Sequence, residues 1–297
     1  MSIFKDINWN SLSITIPGSW ETIVKNPRHL IFEHELSPCL EIRWQQPGKP
    51  PSRRHTESLV KQFGHQDVRA DGLRPPTLGI PDALTRQFEC TVLNGNTDEM
   101  VLLLLVCRKC QMTILVGLHH MSPQQSTDYA SLLASLRCHG GEETAGNWRI
   151  HDVCFFVPNG FELDSCAFQF GASNLLFKAR KSELRFIRLA PASQHLKQND
   201  LRALFASFCT ASPETIQLVD QTTLRYHSSP SLMRRFWQRL KRTRPYTRAS
   251  FSHFSDSDRI VGWLLSTSRR PSPEQITELE NGYGIIQEKA YTAGADA

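Results

Sequence analysis

The feature that most limits how this chain can fold is that it is written twice. "WNSLSITIPGSWE" runs from Trp9 to Glu21, and "WRIHDVCFFVPNGFEL" runs from Trp148 to Leu163. Each places a Trp before an apolar run and then reads Pro-x-x-aromatic-Glu. Downstream, "LIFEHELSPCLEIRWQQP" in the first half answers "LLFKARKSELRFIRLAP" in the second. Leu30-Ile31-Phe32 matches Leu175-Leu176-Phe177, "CLEIRW" matches "LRFIRL", and both stretches close on a proline, Pro47 and Pro191. Each stretch reads as a hairpin: an apolar strand, a short polar turn and an alternating strand.

A helical segment follows in both halves. "RRHTESLVKQFGHQ" sets Leu59, Val60 and Phe63 on one face, and "QNDLRALFASF" sets Leu201, Leu204, Phe205 and Phe208 at amphipathic spacing. The ends match too, an apolar strand running into Ser-Pro and a helix. Ser122 and Ser272 are the expected N-caps, with Pro123 and Pro273 in the first helical position. Blocks recurring in the same order predict a tandem duplication. The first repeat covers residues 1–139, a Gly-rich polar linker 140–147, and the second repeat 148–297, with a basic insertion near 230–248. The 297 residues suit two domains of roughly 150.

Each repeat reads strand, strand, strand, helix, strand, strand, strand, helix. In the first, the late strands are expected at Leu84–Val92, Met100–Arg108 and Gln111–Leu118, an antiparallel meander. The expected class is α+β: two similar domains, each an antiparallel sheet covered by helices. The opening strand with Pro-x-x-Trp-Glu, the early hairpin, the mid-unit helix, the meander and the terminal helix resemble the PsbP-like superfamily, which also holds the Ran-binding Mog proteins. The resemblance is one of element order across both halves. It implies a sandwich fold and protein binding rather than catalysis, and it assigns no functional residue.

Composition narrows the classes further. Hydrophobic residues at 40% and charged residues at 21% are ordinary for a globular protein. A net charge of +5 is too mild for a nucleic-acid-sized field over the whole chain. The start, "MSIFKDINWN", lacks a basic region followed by an apolar one, so no signal peptide is expected. The apolar run Met100–Val106 falls far short of the about 20 residues of a membrane span. A cytoplasmic protein without a membrane span is the expectation, and its eight cysteines are expected as thiols or ligands rather than disulfides.

Two segments carry chemistry. In "VCRKCQM", Cys107 and Cys110 flank Arg108 and Lys109 across a tight turn between strong strands, the spacing of a zinc knuckle or a redox pair. A helix from about Ser126 to Leu136 returns toward that turn and ends near Cys138-His139. Cys107, Cys110, Cys138 and His139 therefore make a candidate Cys3His zinc site, the one cofactor expected. Cys90 is expected opposite about residue 101, too far from the turn to join. The second segment is "PSLMRRFWQRLKRTRPYTR". Arg234, Arg235, Trp237, Arg239, Lys241, Arg242, Arg244 and Arg248 form a basic, aromatic stretch suited to an acidic protein surface or to nucleic acid.

His29, His34, His55 and His65 show no ligand spacing with a nearby carboxylate, and His119-His120 sit on opposite faces if extended. Trp44 and Trp237 are the expected exposed aromatics, whereas Trp9, Trp20, Trp148 and Phe161 are expected in packing. No nucleophile elbow, phosphate loop or dinucleotide fingerprint occurs. The expected function is a non-catalytic protein-interaction or scaffold protein whose partner has an acidic surface. The alternatives are a zinc or thiol protein using the CxxC turn and a nucleic-acid binder using the 234–248 segment.

Overall fold

The computed structural model describes residues 4–45, 79–93, 100–119, 125–138, 146–209, 216–229 and 244–286. These divide into two compact units. The first holds the described residues from Phe4 to Cys138 with Arg149–His151, and the second holds Gly146–Trp148 with Asp152–Ile286.

In the first unit, β1 (Phe4–Trp9) and β2 (Leu12–Pro17) form a hairpin. Then come β3 (Glu21–Asn26), β4 (His29–His34), β5 (Ser37–Gln45), α1 (Asp82–Gln87), β6 (Phe88–Leu93), β7 (Met100–Cys107), β8 (Thr113–His119) and α2 (Gln125–Ser135). The sheet order is β3-β4-β5-β8-β7-β6, antiparallel throughout. The "MVLLLL" run is β7, paired on both sides, and Leu102 to Leu105 are buried on both of its faces. That explains a continuous apolar run where an alternating pattern marks a half-exposed strand.

After β9 (Asn147–Ile150) the second unit repeats the plan. It contains β10 (Val153–Phe156), β11 (Glu162–Gln169), β12 (Ala172–Ala179), β13 (Ser182–Leu189), α3 (Ala192–Leu196) and α4 (Leu201–Ala206). It continues through β14 (Gln217–Leu218), β15 (Thr223–Ser228), β16 (Tyr246–Phe254), β17 (Arg259–Thr267), α5 (Pro273–Asn281) and β18 (Gly284–Ile285). The order β11-β12-β13-β17-β16-β15-β14 is the first unit's order with one short strand added at the edge. In both sheets a three-strand meander meets a second, later meander along one seam, β5 against β8 and β13 against β17.

The fold class departs from the α+β expectation. Strands take 55% of the described residues and helices 17%, so this is a β-rich fold and not a sheet covered by helices. The described helices are too short to cover six strands, and strands supply part of the cover. Ile7, Trp9, Ile14 and Ile16 of the first hairpin are buried. Trp44, on the sheet, donates its indole N–H to the Asn10 carbonyl at 3.2 Å. In the second unit Phe155 of β10 lies over Phe177 and Phe186, with centroids 6.1 and 4.4 Å away. The opposite face of that sheet does carry helix: Leu201, Leu204 and Phe205 of α4 pack with Ile187, Ala249, Phe251 and Ile260.

Other local expectations also change. Residues Leu84 to Gln87 are helical, in α1, and β6 begins only at Phe88. Pro81 fixes the extended entry and Asp82 faces the helix N-terminus, a start signal that the following apolar residues masked. The register Phe32↔Leu40 answers Phe177↔Leu184, so Leu40 matches Leu184 and Ile42 matches Phe186. That is one residue away from the match of "CLEIRW" to "LRFIRL", a slip that would exchange the two faces of the strand. Trp44 is buried at 3% exposure rather than displayed. Ser272 caps α5, accepting from the Gln275 N–H at 3.2 Å. The segment 53–66, Ser122, Pro123, Trp237 and most of the 140–147 linker lie outside the described residues. Among the described residues no helix is long and apolar enough to cross a membrane.

Candidate functional site

The thiol cluster is built by two elements of the first unit. The β7–β8 turn closes through the Gln111 N–H on the Cys107 carbonyl at 3.0 Å and the Cys107 N–H on the Met112 carbonyl at 2.9 Å. Gln111 takes a left-handed backbone, φ 62°, to make the turn, and its side chain amide also donates to the Cys107 carbonyl at 3.3 Å. This geometry aims two backbone N–H groups, those of Lys109 and Cys110, at Cys107 Sγ from 3.4 and 3.5 Å. The third thiol arrives from α2. Arg137 pairs with Ser13 of β2 in both directions at 2.9 Å, and Ser135 Oγ accepts from the Thr15 N–H at 3.0 Å. Tyr129 donates to the Cys39 and His119 carbonyls, at 3.1 and 3.0 Å. The helix end is thus fixed, and Cys138 follows it.

The outcome is three sulfurs within 4.8 Å of one another, those of Cys107, Cys110 and Cys138, with Cys110 Sγ and Cys138 Sγ 3.9 Å apart. Cys107 and Cys138 are buried and Cys110 is partly exposed. Burial raises the Cys107 thiol, yet the Cys110 and Lys109 amides and the neighbouring thiols outweigh it and bring it below the ordinary thiol range. Burial, then proximity to Cys107, drives Cys138 far upward, and Cys110 also rises. One thiol of the three is therefore electronically distinct, held toward the thiolate by backbone dipoles. His139, the fourth expected ligand, lies outside the described residues. Cys90 stands opposite Leu105 rather than residue 101, because the shortened β6 starts at Phe88 opposite Cys107. It does not belong to the sulfur cluster.

The basic segment is represented by its C-terminal part, since Arg234, Arg235, Trp237, Arg239, Lys241 and Arg242 lie outside the described residues. Arg244 is bound to Glu183, which also faces Arg185 at 3.6 Å. Arg248 stands opposite His227 across the β15–β16 pair. Partial burial, then Arg270, lowers the Arg248 guanidinium, with Glu280 opposing. Partial burial, then Arg248 and Arg270, lowers the His227 imidazole. Arg225, two residues before His227 and on the same face, meets Glu280 of α5 at 3.1 Å. Arg225, His227, Arg248 and Arg270 thus share one neighbourhood with the Glu280 carboxylate.

A third cluster escaped the sequence reading. Glu41, 9% exposed, accepts His29 Nε2 at 2.7 Å and Arg43 Nε at 2.9 Å, and His119 Nε2 stands 3.7 Å from its other oxygen. Burial pushes the Glu41 carboxyl up, but His119, His29 and Arg43 together hold it far below the usual carboxylate range. The partners come from three adjacent strands, β4, β5 and β8. Spacing along the chain carries no trace of such a contact. The alternation of the strands does, since Glu41 and Arg43 fall on one face of β5.

No family model matches the chain, and no curated protein matches it. Among solved structures, the immunity protein TplEi of T6SS from Pseudomonas aeruginosa, solved in complex with an "L" peptide, is similar over 90% of this chain and 98% of that one. The identity is 12% and the TM-score 0.27, a level that carries no inference about this chain.

Proposed function

We propose that this chain is a non-catalytic protein-interaction protein, an adaptor or scaffold built from two duplicated β-rich units, whose second unit docks an acidic partner at the ends of β15 and β16. The observation that carries the proposal is the gathering of Arg225, His227, Arg248 and Arg270 about the Glu280 carboxylate. Three guanidinium groups against one carboxylate leave a local positive excess on a net charge of only +5. The Arg-rich run from Arg234 to Arg242 falls between Ser228 and Tyr246, so the chain adds five further cations between the same two strands. Crowded, partly desolvated arginines gain most from a carboxylate-bearing ligand, because its arrival relieves their mutual repulsion.

The duplication is supported by the shared strand order and by the Leu30–Phe32 and Leu175–Phe177 strands pairing alike with their neighbours. Function then belongs where the copies differ. The first unit joins β6 to β7 through residues 94–99, whereas the second spends residues 229–245 on the equivalent connection.

The test is fluorescence anisotropy with an extended Asp/Glu-rich peptide, and with single- and double-stranded DNA as comparison. The peptide should bind, weaken as salt rises, and lose roughly tenfold in affinity with Arg248→Ala plus Arg270→Ala. Absence of peptide binding at low salt would overturn the proposal. DNA bound more tightly than the peptide, with a steep salt dependence, would overturn it in favour of nucleic-acid binding.

A further inference from the structure

We infer that Cys107, Cys110 and Cys138 bind a structural zinc ion that ties the β7–β8 turn to the end of α2. Zinc held by thiolates at about 2.3 Å in tetrahedral geometry sets its sulfurs about 3.8 Å apart. Cys110 Sγ and Cys138 Sγ are 3.9 Å apart, and all three sulfurs fall within 4.8 Å. The Cys110–Cys138 spacing is thus that of two sulfurs on one zinc ion, and Cys107 lies close enough to join them.

The CxxC turn is organised as a thiolate cradle. Lys109 and Cys110 direct their N–H groups at Cys107 Sγ, and such donors stabilise a sulfur carrying negative charge. Arg108 and Lys109 lie between the two cysteines and offset the charge of three thiolates on a divalent ion. Each ligand loses its thiol proton to solvent as the zinc–sulfur bond forms, and no electron changes hands. Three protein sulfurs fill three of four positions, and the fourth goes to solvent.

The equivalent turn of the second unit carries a cross-tie of a different chemistry. There Asp258, also left-handed at φ 53°, ties the β16–β17 turn to the start of α3. Its carboxylate accepts the Ser193 N–H at 2.7 Å and the Ser193 hydroxyl at 2.8 Å, and its carbonyl accepts the Ala192 N–H at 2.8 Å. A carboxylate cross-tie in one copy stands where the other has a sulfur cluster, and both fasten the closing meander turn to a distant part of the chain. The role is a staple, with no catalytic demand on the ion.

The experiment is elemental analysis of the full chain purified under reducing conditions, followed by removal and re-addition of zinc chloride. About one equivalent of zinc is expected per chain, with a drop below about a tenth in Cys107→Ser, Cys110→Ser or Cys138→Ser and no change in Cys166→Ser. Cobalt added to the stripped wild-type chain should give intense thiolate-to-cobalt charge-transfer absorption, a readout that does not depend on any variant folding. Zinc below about a tenth of an equivalent both as purified and after reconstitution would overturn the inference. So would a Cys110–Cys138 disulfide that persists, by mass spectrometry, in the chain purified under reducing conditions.

Discussion

Gly262 and Phe251 face each other across β16 and β17 so closely that a Cβ on the glycine would come 2.4 Å from the ring Cδ2 and 2.6 Å from the Ser250 carbonyl oxygen. The ring cannot retreat, because Phe251 is wholly buried and meets Phe205 edge-on at 4.9 Å. Gly262→Ala is therefore expected to cost about 1–3 kcal/mol, the penalty of overpacking a closed core. A urea titration should show a lower midpoint with the slope unchanged, and a midpoint equal to wild type would show that the sheet gives way.

Glu41 gives a prediction with a definite pH dependence. Its folded carboxyl lies well below its unfolded value, so its stabilisation is present above about pH 4.3 and is lost as pH falls through the folded value. Glu41→Gln should destabilise by about 2 kcal/mol at neutral pH, because a neutral amide replaces the carboxylate that faces Arg43, His29 and His119. The gap between wild type and variant should begin to close below about pH 4.3, read as denaturation midpoints across the acid range. A gap that stays constant into strong acid would refute the electrostatic origin.

Asp152 plays the corresponding part in the second unit. Its two oxygens accept Arg188 Nε at 2.5 Å, Arg188 Nη2 at 2.6 Å and Arg259 Nε at 2.7 Å. Burial raises its carboxyl, and the two arginines outweigh that and lower it. Asp152→Asn should cost about 1–2 kcal/mol after allowance for partial exposure. Arg188→Gln should cost less, because Arg259 stays bound. Double-mutant cycles on Arg188 and Arg259 measure this directly, and additive single losses would contradict a shared acceptor.

The Ser272 hydroxyl accepts from the Gln275 N–H, and Pro273 occupies the first helical position of α5. Ser272→Ala should cost about 1 kcal/mol and Ser272→Asp should be close to neutral. Thermal melts of the two variants distinguish a cap from a passive surface serine.

Much of the strand content was legible because alternation and apolar runs are local. Met100 to Val106 reads as strand from its neighbours alone, and Ser272-Pro273 reads as a helix start. The β-rich class was not legible, and α+β was expected in its place, because covering a sheet is a tertiary event: Trp9, Ile14 and Phe155 cover sheets from strands, with the same residues that would suit a helix face. The one-residue slip between "CLEIRW" and "LRFIRL" shows a second limit. Residue similarity scored Arg43 against Arg188, while the pleat places Leu40 with Leu184 and so decides which side chains are inside. The three cysteines could be brought together on paper because helix and strand rises fix distances along the chain. Glu41 with His29 and His119 could not, since their meeting depends on which strands become neighbours. The positive neighbourhood of Arg248 likewise needs Arg270 and Arg225, which no run of sequence joins to it.

The seam between the two meanders of each sheet has a kinetic consequence. Hairpins such as β4–β5 and β7–β8 close over a few residues and form on a scale of about 1–10 μs. The β5–β8 seam must instead bring Gln45 to Thr113 across a long stretch of chain, and its closure entropy is spent before any of its hydrogen bonds is gained. Each unit is thus two locally folding halves and one late-closing join. A chain cut between those halves keeps both partners of the join intact, which makes the seam the natural line for reassembly from two fragments.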